Sequence, residues 1–252
     1  DVDLTAQFVL LGANKELPDG RILATKGEAG IQAHTLPPGL YWMMWPWQYK
    51  VTMEPFTVIP PGKIGLVLAN DGAELPTGSL LGRKVDCDNF QDASAYLARG
   101  GQKGRQTKIL PSGTYRINTL AFTVTLADIM VIRENMVGIV TALDGEPIRP
   151  GQIAGEYIQG HNNFQDVDTF LANGGNRGLQ PQVILAGNYF INPWAVLIEE
   201  IEDLEGCSVG AQHLHAGSDA GPGGGEQGGE SHEAGRRQGV MHGMPPETRK
   251  LG

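Results

Sequence analysis

DNFQDASAYLARGG runs from Asp88 to Gly101, and NNFQDVDTFLANGG runs from Asn162 to Gly175, 74 residues further on. Self-similarity at a fixed period decides an architecture before any local reading does. The likeness extends outward on both sides. Ile64-Gly-Leu-Val-Leu-Ala-Asn-Asp-Gly72 matches Val137-Gly-Ile-Val-Thr-Ala-Leu-Asp-Gly145, Gly78 and Gly82 match Gly151 and Gly155, and Gly113-Thr-Tyr-Arg-Ile-Asn118 matches Gly187-Asn-Tyr-Phe-Ile-Asn192. A partial third copy precedes these two: Gly30, Gln32, Gly39 and Tyr41 stand where Gly104, Gln106, Gly113 and Tyr115 stand later. On this register the counterpart of Ile64 falls before residue 1, so the chain is expected to enter in mid-repeat.

Each copy reads the same way physically. A β-rich run (Ile64 to Ala69, Val137 to Ala142) ends at Asp-Gly, a turn pair, because Gly accepts positive φ and Asp bonds locally to backbone. A short helix is expected next. Asp88 or Asn162 reads as its N-cap, with Gln91 or Gln165 three residues on as a capping box, and the double glycine as its left-handed exit. Phe90, Ala93 and Leu97, and likewise Phe164, Val167 and Leu171, recur at helical spacing and predict one apolar face. Asp88, Phe90, Gln91, Asn162, Phe164 and Gln165 form the signature of the repeat. A hairpin is expected to follow, Lys108 to Leu110 against Thr114 to Ile117, repeated as Gln182 to Leu185 against Asn188 to Ile191.

The expected fold class is α+β, with β-rich tandem modules of antiparallel strands and one short helix each. Residues 1–60 make a partial module, 61–133 and 134–203 make complete ones, and 204–252 form a Gly-rich tail. That tail holds no periodic apolar stretch and reads as disordered or as a non-native, out-of-frame rendering of a further repeat.

Composition narrows the function. With 19 basic against 28 acidic residues in 252, a net of −9, phosphate-led nucleic-acid binding is disfavoured. Cys87 and Cys207 stand in segments of unlike character and give no disulfide framework. No apolar run reaches the 18 or more residues of a spanning helix.

The chemical motifs each have a plain structural reading. Gly100-Gly-Gln-Lys-Gly-Arg105 resembles a phosphate loop, but it follows a helix C-terminus instead of opening a helix, and the second copy loses the lysine. Asp86, Asp88 and Asp92 resemble the start of a calcium loop, yet Phe90 occupies a ligand position and Gly160 replaces Asp86 in the second copy. Cys207, His213, His215, His232 and His242 lack the paired spacing of structural zinc sites. His34 and His161 have no nucleophile signature beside them, and His161 reads as a polar turn residue. No catalytic residue, cofactor or metal is expected.

Two surfaces stand out instead. Arg99, Lys103, Arg105 and Lys108 form a basic cluster that reads first as a solvated loop and second as a contact for anionic headgroups. Pro37 to Trp47 is the densest aromatic stretch of the chain, with Trp42, Trp45 and Trp47. Its register with Gly39 and Tyr41 makes it a hairpin strand packed in the core or between repeats, with membrane contact as the second reading. Glu199, Glu200, Glu202, Asp203 and Glu205 read as an exposed strand end.

Val58-Ile-Pro-Pro-Gly-Lys-Ile-Gly-Leu-Val67 with Asp71-Gly72, and Asn135-Met-Val-Gly-Ile-Val140 with Asp144-Gly145, resemble the SPFH (Band 7, or prohibitin-homology) family. Leu36-Pro-Pro-Gly-Leu-Tyr41, Trp45-Pro-Trp47, Asp86 to Asp92, Gly113 to Asn118 and Asn192-Pro-Trp194 resemble its bacterial flotillin-like members, and the likeness covers Leu17 to Asp203. The resemblance implies a non-enzymatic, membrane-associated scaffold that forms large homo-oligomers, with itself and membrane lipids or membrane proteins as partners and its anchor outside these residues. The rival reading is a soluble ligand-binding module with a polar pocket between repeats around Asn89, Gln91, Asn163 and Gln165.

Overall fold

The computed structural model describes residues 4–12, 15–18, 20–37 and 39–202. The 204–252 tail and its zinc-ligand candidates lie outside the described residues. The chain is β-rich with two six-residue helices. Three seven-residue strands organise it: β1 (Leu4–Leu10), β6 (Lys63–Ala69) and β11 (Met136–Ala142). Each lies antiparallel between two others. β1 sits between β3 (Gly30–Gln32) and β4 (Tyr49–Pro55), and β6 between β7 (Gly104–Arg105) and β9 (Phe122–Asp128). β11 sits between β13 (Asn176–Ile184) and β15 (Val196–Glu202). Two short parallel pairings complete the edges, β2 (Leu23–Ala24) on β3 and β12 (Glu146–Pro147) on β13.

β1 takes the place that the sequence register put before residue 1. The reason is a shortened connector. Leu17-Pro18-x-Gly20 in the first segment matches Leu75-Pro76-x-Gly78 in the second at a distance of 58 residues, not 74. The run from β1 to β3 has no helix among its described residues, whereas α1 (Ala93–Ala98) lies between β6 and β7 and α2 (Val167–Ala172) between β11 and β13.

The expected hairpins do not form. β8 (Gly113–Tyr115) pairs with β5 (Thr57–Ile59), and β14 (Gly187–Tyr189) pairs with β10 (Met130–Ile132). Leu110 spends its N–H and C=O on Gly65, at 2.9 and 2.8 Å, so Thr114 to Ile117 cannot pair with it. Thr57–Ile59 and Met130–Ile132 thereby belong with the strands that follow them.

The repeated sentence also folds differently from its N-cap reading. Asp88, Asn89 and Phe90 all have positive φ (51°, 52°, 63°), as do Asn162, Asn163 and Phe164 (47°, 51°, 61°). Each trio is a left-handed turn. Asp and Asn tolerate that region, but Phe does not, and each such residue costs on the order of 1–2 kcal/mol. Burial offsets the cost: Phe90 and Phe164 are each 1% exposed, a contribution of about 1.5–3 kcal/mol before ring contacts are counted. The N-caps are Asp92 and Asp166, whose Oδ1 atoms accept from Ala95 N at 2.9 Å and Thr169 N at 3.2 Å.

Gln91 and Gln165 reach outward instead of boxing the helix. Their Oε1 atoms accept from Arg116 N and Phe190 N, each at 3.0 Å, which fastens the left-handed turn to the strand after β8 or β14. The buried helix positions are Ala93 and Tyr96, and Val167 and Phe170, while Leu97 and Leu171 pack at the rim.

The double-glycine exit forms as expected. Gly100 and Gly174 are left-handed (φ 80° and 82°), and Gly101 N and Gly175 N donate back to Tyr96 O and Phe170 O, the Schellman pattern. The second glycine has a further reason. A Cβ on Gly101 would stand 2.3 Å from the Tyr96 ring, and one on Gly175 2.4 Å from Phe170.

Two apolar clusters result. One gathers Phe90, Tyr96, Leu110, Ile117 and Phe122 with Leu23 and Ala33 of the first segment, and the other gathers Phe164, Phe170, Ile184 and Val196 with Leu81 of the second.

Candidate functional site

Between successive segments the contacts are polar and specific. Asp71, placed by the end of β6, is 2% exposed. Its Oδ2 accepts from Ile22 N at 3.0 Å and Leu23 N at 2.7 Å, and Arg21 Nε approaches its Oδ1 at 3.2 Å. Asp144, at the end of β11, accepts from Leu80 N and Leu81 N, each at 3.0 Å. The Asp-Gly pair is therefore more than a turn: its carboxylate reaches back to two amides of the preceding segment. Gly72 and Gly145 follow because their Cα atoms face the Gly101 and Gly175 carbonyls, where a Cβ would lie at 2.4 and 2.3 Å.

A carboxamide works beside each carboxylate. Asn118 Nδ2 donates to Gln32 O and Ala33 O, and Asn192 Nδ2 donates to Gln106 O and Thr107 O. The helices add a third contact: Ser94 Oγ lies 3.0 Å from His34 Nε2, and Asp168 Oδ1 accepts from Lys84 N and Thr107 Oγ1.

The first segment lacks both latch residues. Gly12 stands two residues beyond the Leu10–Tyr49 pair, where Asp71 stands beyond Ala69–Phe122. Trp45 O accepts from Gln48 N and Tyr49 N, as Asn118 O accepts from Ala121 N and Phe122 N, so Trp45 takes the asparagine's place.

Around Trp45 the chain forms turns, not the expected strand, and its aromatic residues face outward. Leu40, Trp42 and Met43 are 78%, 82% and 80% exposed, Trp47 is also exposed, and Trp45 and Trp47 stack with ring centroids 5.0 Å apart. Packing in the core or between the described repeats is thereby overturned for Trp42, Trp45 and Trp47. The physical reason lies in the strand pairing. The Gly39–Tyr41 stretch keeps its local bond, Tyr41 Oη to Pro37 O, but it gains no partner among the described residues like β5 for β8.

The basic cluster divides. Arg99 forms an ion pair with Asp86 at 3.2 Å, and Arg105 lies over the Trp194 ring at 5.2 Å to the centroid. Lys103 is exposed and Lys108 half-buried. Asp88 bonds to Gln91 Nε2 and Asp92 caps α1, so both have structural partners. No three His, Cys, Asp or Glu side chains converge among the described residues.

A cleft of about 550 Å³ opens between the first connector and α1, lined by Lys15, Arg21, Lys26, Glu28, Ser94 and Leu97. It does not include Asn89, Gln91, Asn163 or Gln165. Much of its charge is internally matched. Glu28 accepts from Lys26 N at 2.7 Å and Thr25 N at 3.1 Å, with Lys15 Nζ at 3.3 Å, and the backbone N–H of Lys26 leads in holding its carboxyl down to about 2. Arg21 is committed to Asp71.

His161 is a buried core residue, 4% exposed. Its Nδ1 accepts from Phe164 N at 2.8 Å, so Nε2 carries the proton and donates to Ile158 O or Gln182 Oε1, each at 2.9 Å. Cys87 takes the corresponding place in the second segment, where burial pushes its thiol up while the Phe90 N–H works the other way.

No helix among the described residues is long and apolar enough to cross a membrane. No family model, curated protein or solved structure matches the chain.

Proposed function

We propose that the chain is a non-enzymatic scaffold of the SPFH (Band 7) type, flotillin-like in build, made of tandem β modules that associate with one another and with a membrane surface. The observation that carries this reading is the outward aromatic platform, Leu40, Trp42, Met43, Trp45 and Trp47. Trp prefers the membrane interface because its ring is apolar and its N–H stays wet. Moving an exposed Leu40 or Met43 out of water contributes about 1.5–3 kcal/mol each.

The repeat reading is supported by bonds that recur 74 residues apart, Asn118 and Asn192 to backbone carbonyls of the preceding segment above all. The sequence likeness to SPFH proteins supports the scaffold role. The chain carries a net charge of −9, and both Arg99 and Arg105 have protein partners, so contact with lipid rests on the aromatic platform, not on basic residues.

Co-sedimentation with neutral and anionic liposomes at low and high salt tests this. Binding is expected on both, insensitive to salt, and lost when Trp42, Trp45 and Trp47 are all replaced by Ser. No binding on either vesicle, or full binding by the triple variant, would overturn it. A second reading, a soluble ligand-binding module, draws its support from the cleft at Lys15, Lys26 and Leu97, and gains if a small anionic ligand protects those residues in solution.

A further inference from the structure

The two internal junctions define what a segment presents to the next one, and the third segment presents the same features with no occupant among the described residues. The turn that offers the amides has one conformation in all three places. Gly20, Gly78 and Gly151 have φ of 78°, 93° and 92°, and Arg21 N, Ser79 N and Gln152 N each donate to the carbonyl three residues back. After that turn Asp71 takes the amides of Ile22 and Leu23, and Asp144 takes those of Leu80 and Leu81. The equivalent amides of the third segment belong to Ile153 and Ala154, and no described residue accepts from either.

Exposure follows the same division. Leu23 and Leu81 are 2% and 3% exposed beneath their carboxylates, while Ala154 is half-buried and Ile153 is 88% exposed. The second receptor is also in place. Gln32, Gln106 and Gln180 each fold their Nε2 onto carbonyls two and four residues back, which sets the carbonyls that Asn118 and Asn192 use in the first two cases. Gln180 and Pro181 hold that position in the third.

We infer that this face is a docking surface for a further β segment of the same build, one whose leading strand ends in Asp-Gly and whose later turn carries Asn. The carboxylate seats on the Ile153 and Ala154 amides, and the carboxamide on the Gln180 and Pro181 carbonyls. The inference rests on the repeat reading given above. Candidates within reach are excluded by sequence. The first segment of a second copy has Gly12 and Trp45 where Asp and Asn are required, and the other Asp-Gly carboxylates are already engaged. Residues 203–252 contain no Asn and no Asp-Gly pair.

Amide hydrogen exchange on the full chain is the first test. Ile22, Leu23, Leu80 and Leu81 are expected to be protected, and Ile153 and Ala154 to exchange at least about a hundredfold faster. Protection of Ile153 and Ala154 in the unaltered chain overturns the inference, because the face is then closed; protection that rises with protein concentration names a second copy as the occupant and overturns it equally.

The second test inserts another copy of residues 129–202 between Glu202 and Asp203. Protection of Ile153 and Ala154 should appear, and should vanish when the inserted equivalent of Asp144 is changed to Ala. An inserted copy that folds without protecting them, or that cannot fold there or when residues 56–128 are inserted instead, sinks the docking surface. The repeat reading fails separately, if Asp144→Ala in the unaltered chain leaves the Leu80 and Leu81 amides protected.

Discussion

At the centre of the second segment three rings meet: Phe90 from the left-handed turn, Tyr96 from α1 and Phe122 from β9, with centroids 5.0–6.0 Å apart. At the centre of the third the rings are Phe164, Phe170 and His161, and Val196 stands where Phe122 stood. Bulk has moved from the strand to the loop: Cys87 with Phe122 in one, His161 with Val196 in the other. The same backbone N–H, that of Phe90 or Phe164, is satisfied by sulfur in one case and by Nδ1 in the other. What is held constant is the left-handed turn and the filled volume, not the residue at any one position.

A second exchange leaves a trace. Tyr96 donates its hydroxyl to Gln102 O at 2.5 Å and lies beside the Gln106 side chain, and burial pushes its phenol up. Phe170 has no hydroxyl to offer, and Gln180 Oε1, the counterpart of the Gln106 acceptor, is a buried oxygen without a partner.

Removing what the two centres share should break them alike. Phe90→Ala and Phe164→Ala should each cost about 3–5 kcal/mol, read by urea unfolding, since the ring both fills the core and holds three strained residues in place. A marked inequality between them would show that the second or third centre relies on its other rings. The carboxylate latches should differ next. Asp71→Ala is expected to cost about 3 kcal/mol and Asp144→Ala about 2, because the former also strands Arg21.

The allocation of bulk can then be tested directly. Phe122→Val alone should cost about 2–3 kcal/mol, and adding Cys87→His should recover at least about 1 kcal/mol of it in a double-mutant cycle. Recovery should improve with Lys108→Gln, which supplies the acceptor that Gln182 gives His161. Tyr96→Phe should cost about 1 kcal/mol, and Phe170→Tyr should regain a similar amount by satisfying Gln180.

The smallest effect expected is that of acid. The Glu28 carboxyl is held down to about 2, and Asp166 is also lowered: burial opposes its charge, but the Thr169 hydroxyl and N–H and nearby Lys84 prevail. Both carboxyls titrate lower when folded than when unfolded, near 4. Their stabilisation is therefore complete above the unfolded value and is lost as pH falls through the folded one. Urea midpoints should decline from about pH 5 toward pH 2, and Glu28→Gln should flatten part of that decline.

Much of this fold is legible locally. The strand runs at Ile64 and Val137, the glycine exits and the presence of a short helix each follow from a few neighbouring residues. The left-handed turn was not, because Asp88 and Gln91 satisfy the capping-box pattern as well as they satisfy the turn, and only the burial of Phe90 decides between them. The pairing of β8 with β5 depends on residues 54 to 58 positions apart in sequence, beyond any local signal. The carboxylate latch was hidden for a related reason: Asp-Gly already had a sufficient local explanation. Its partner could have been found from Leu17-Pro18-x-Gly20, had the register been tried at 58 as well as 74.

The ladder from Lys63 to Asp128 has a consequence for synthesis. β6 leaves the ribosome 65 residues before the end of the strand that covers its edge. At 5–20 residues per second, that interval lasts roughly 3–13 s. During it Ile64, Leu66 and Val67, all later buried, have only the nascent first sheet beside them. Translation speed, and not only final stability, thus sets how much of this chain reaches the folded state.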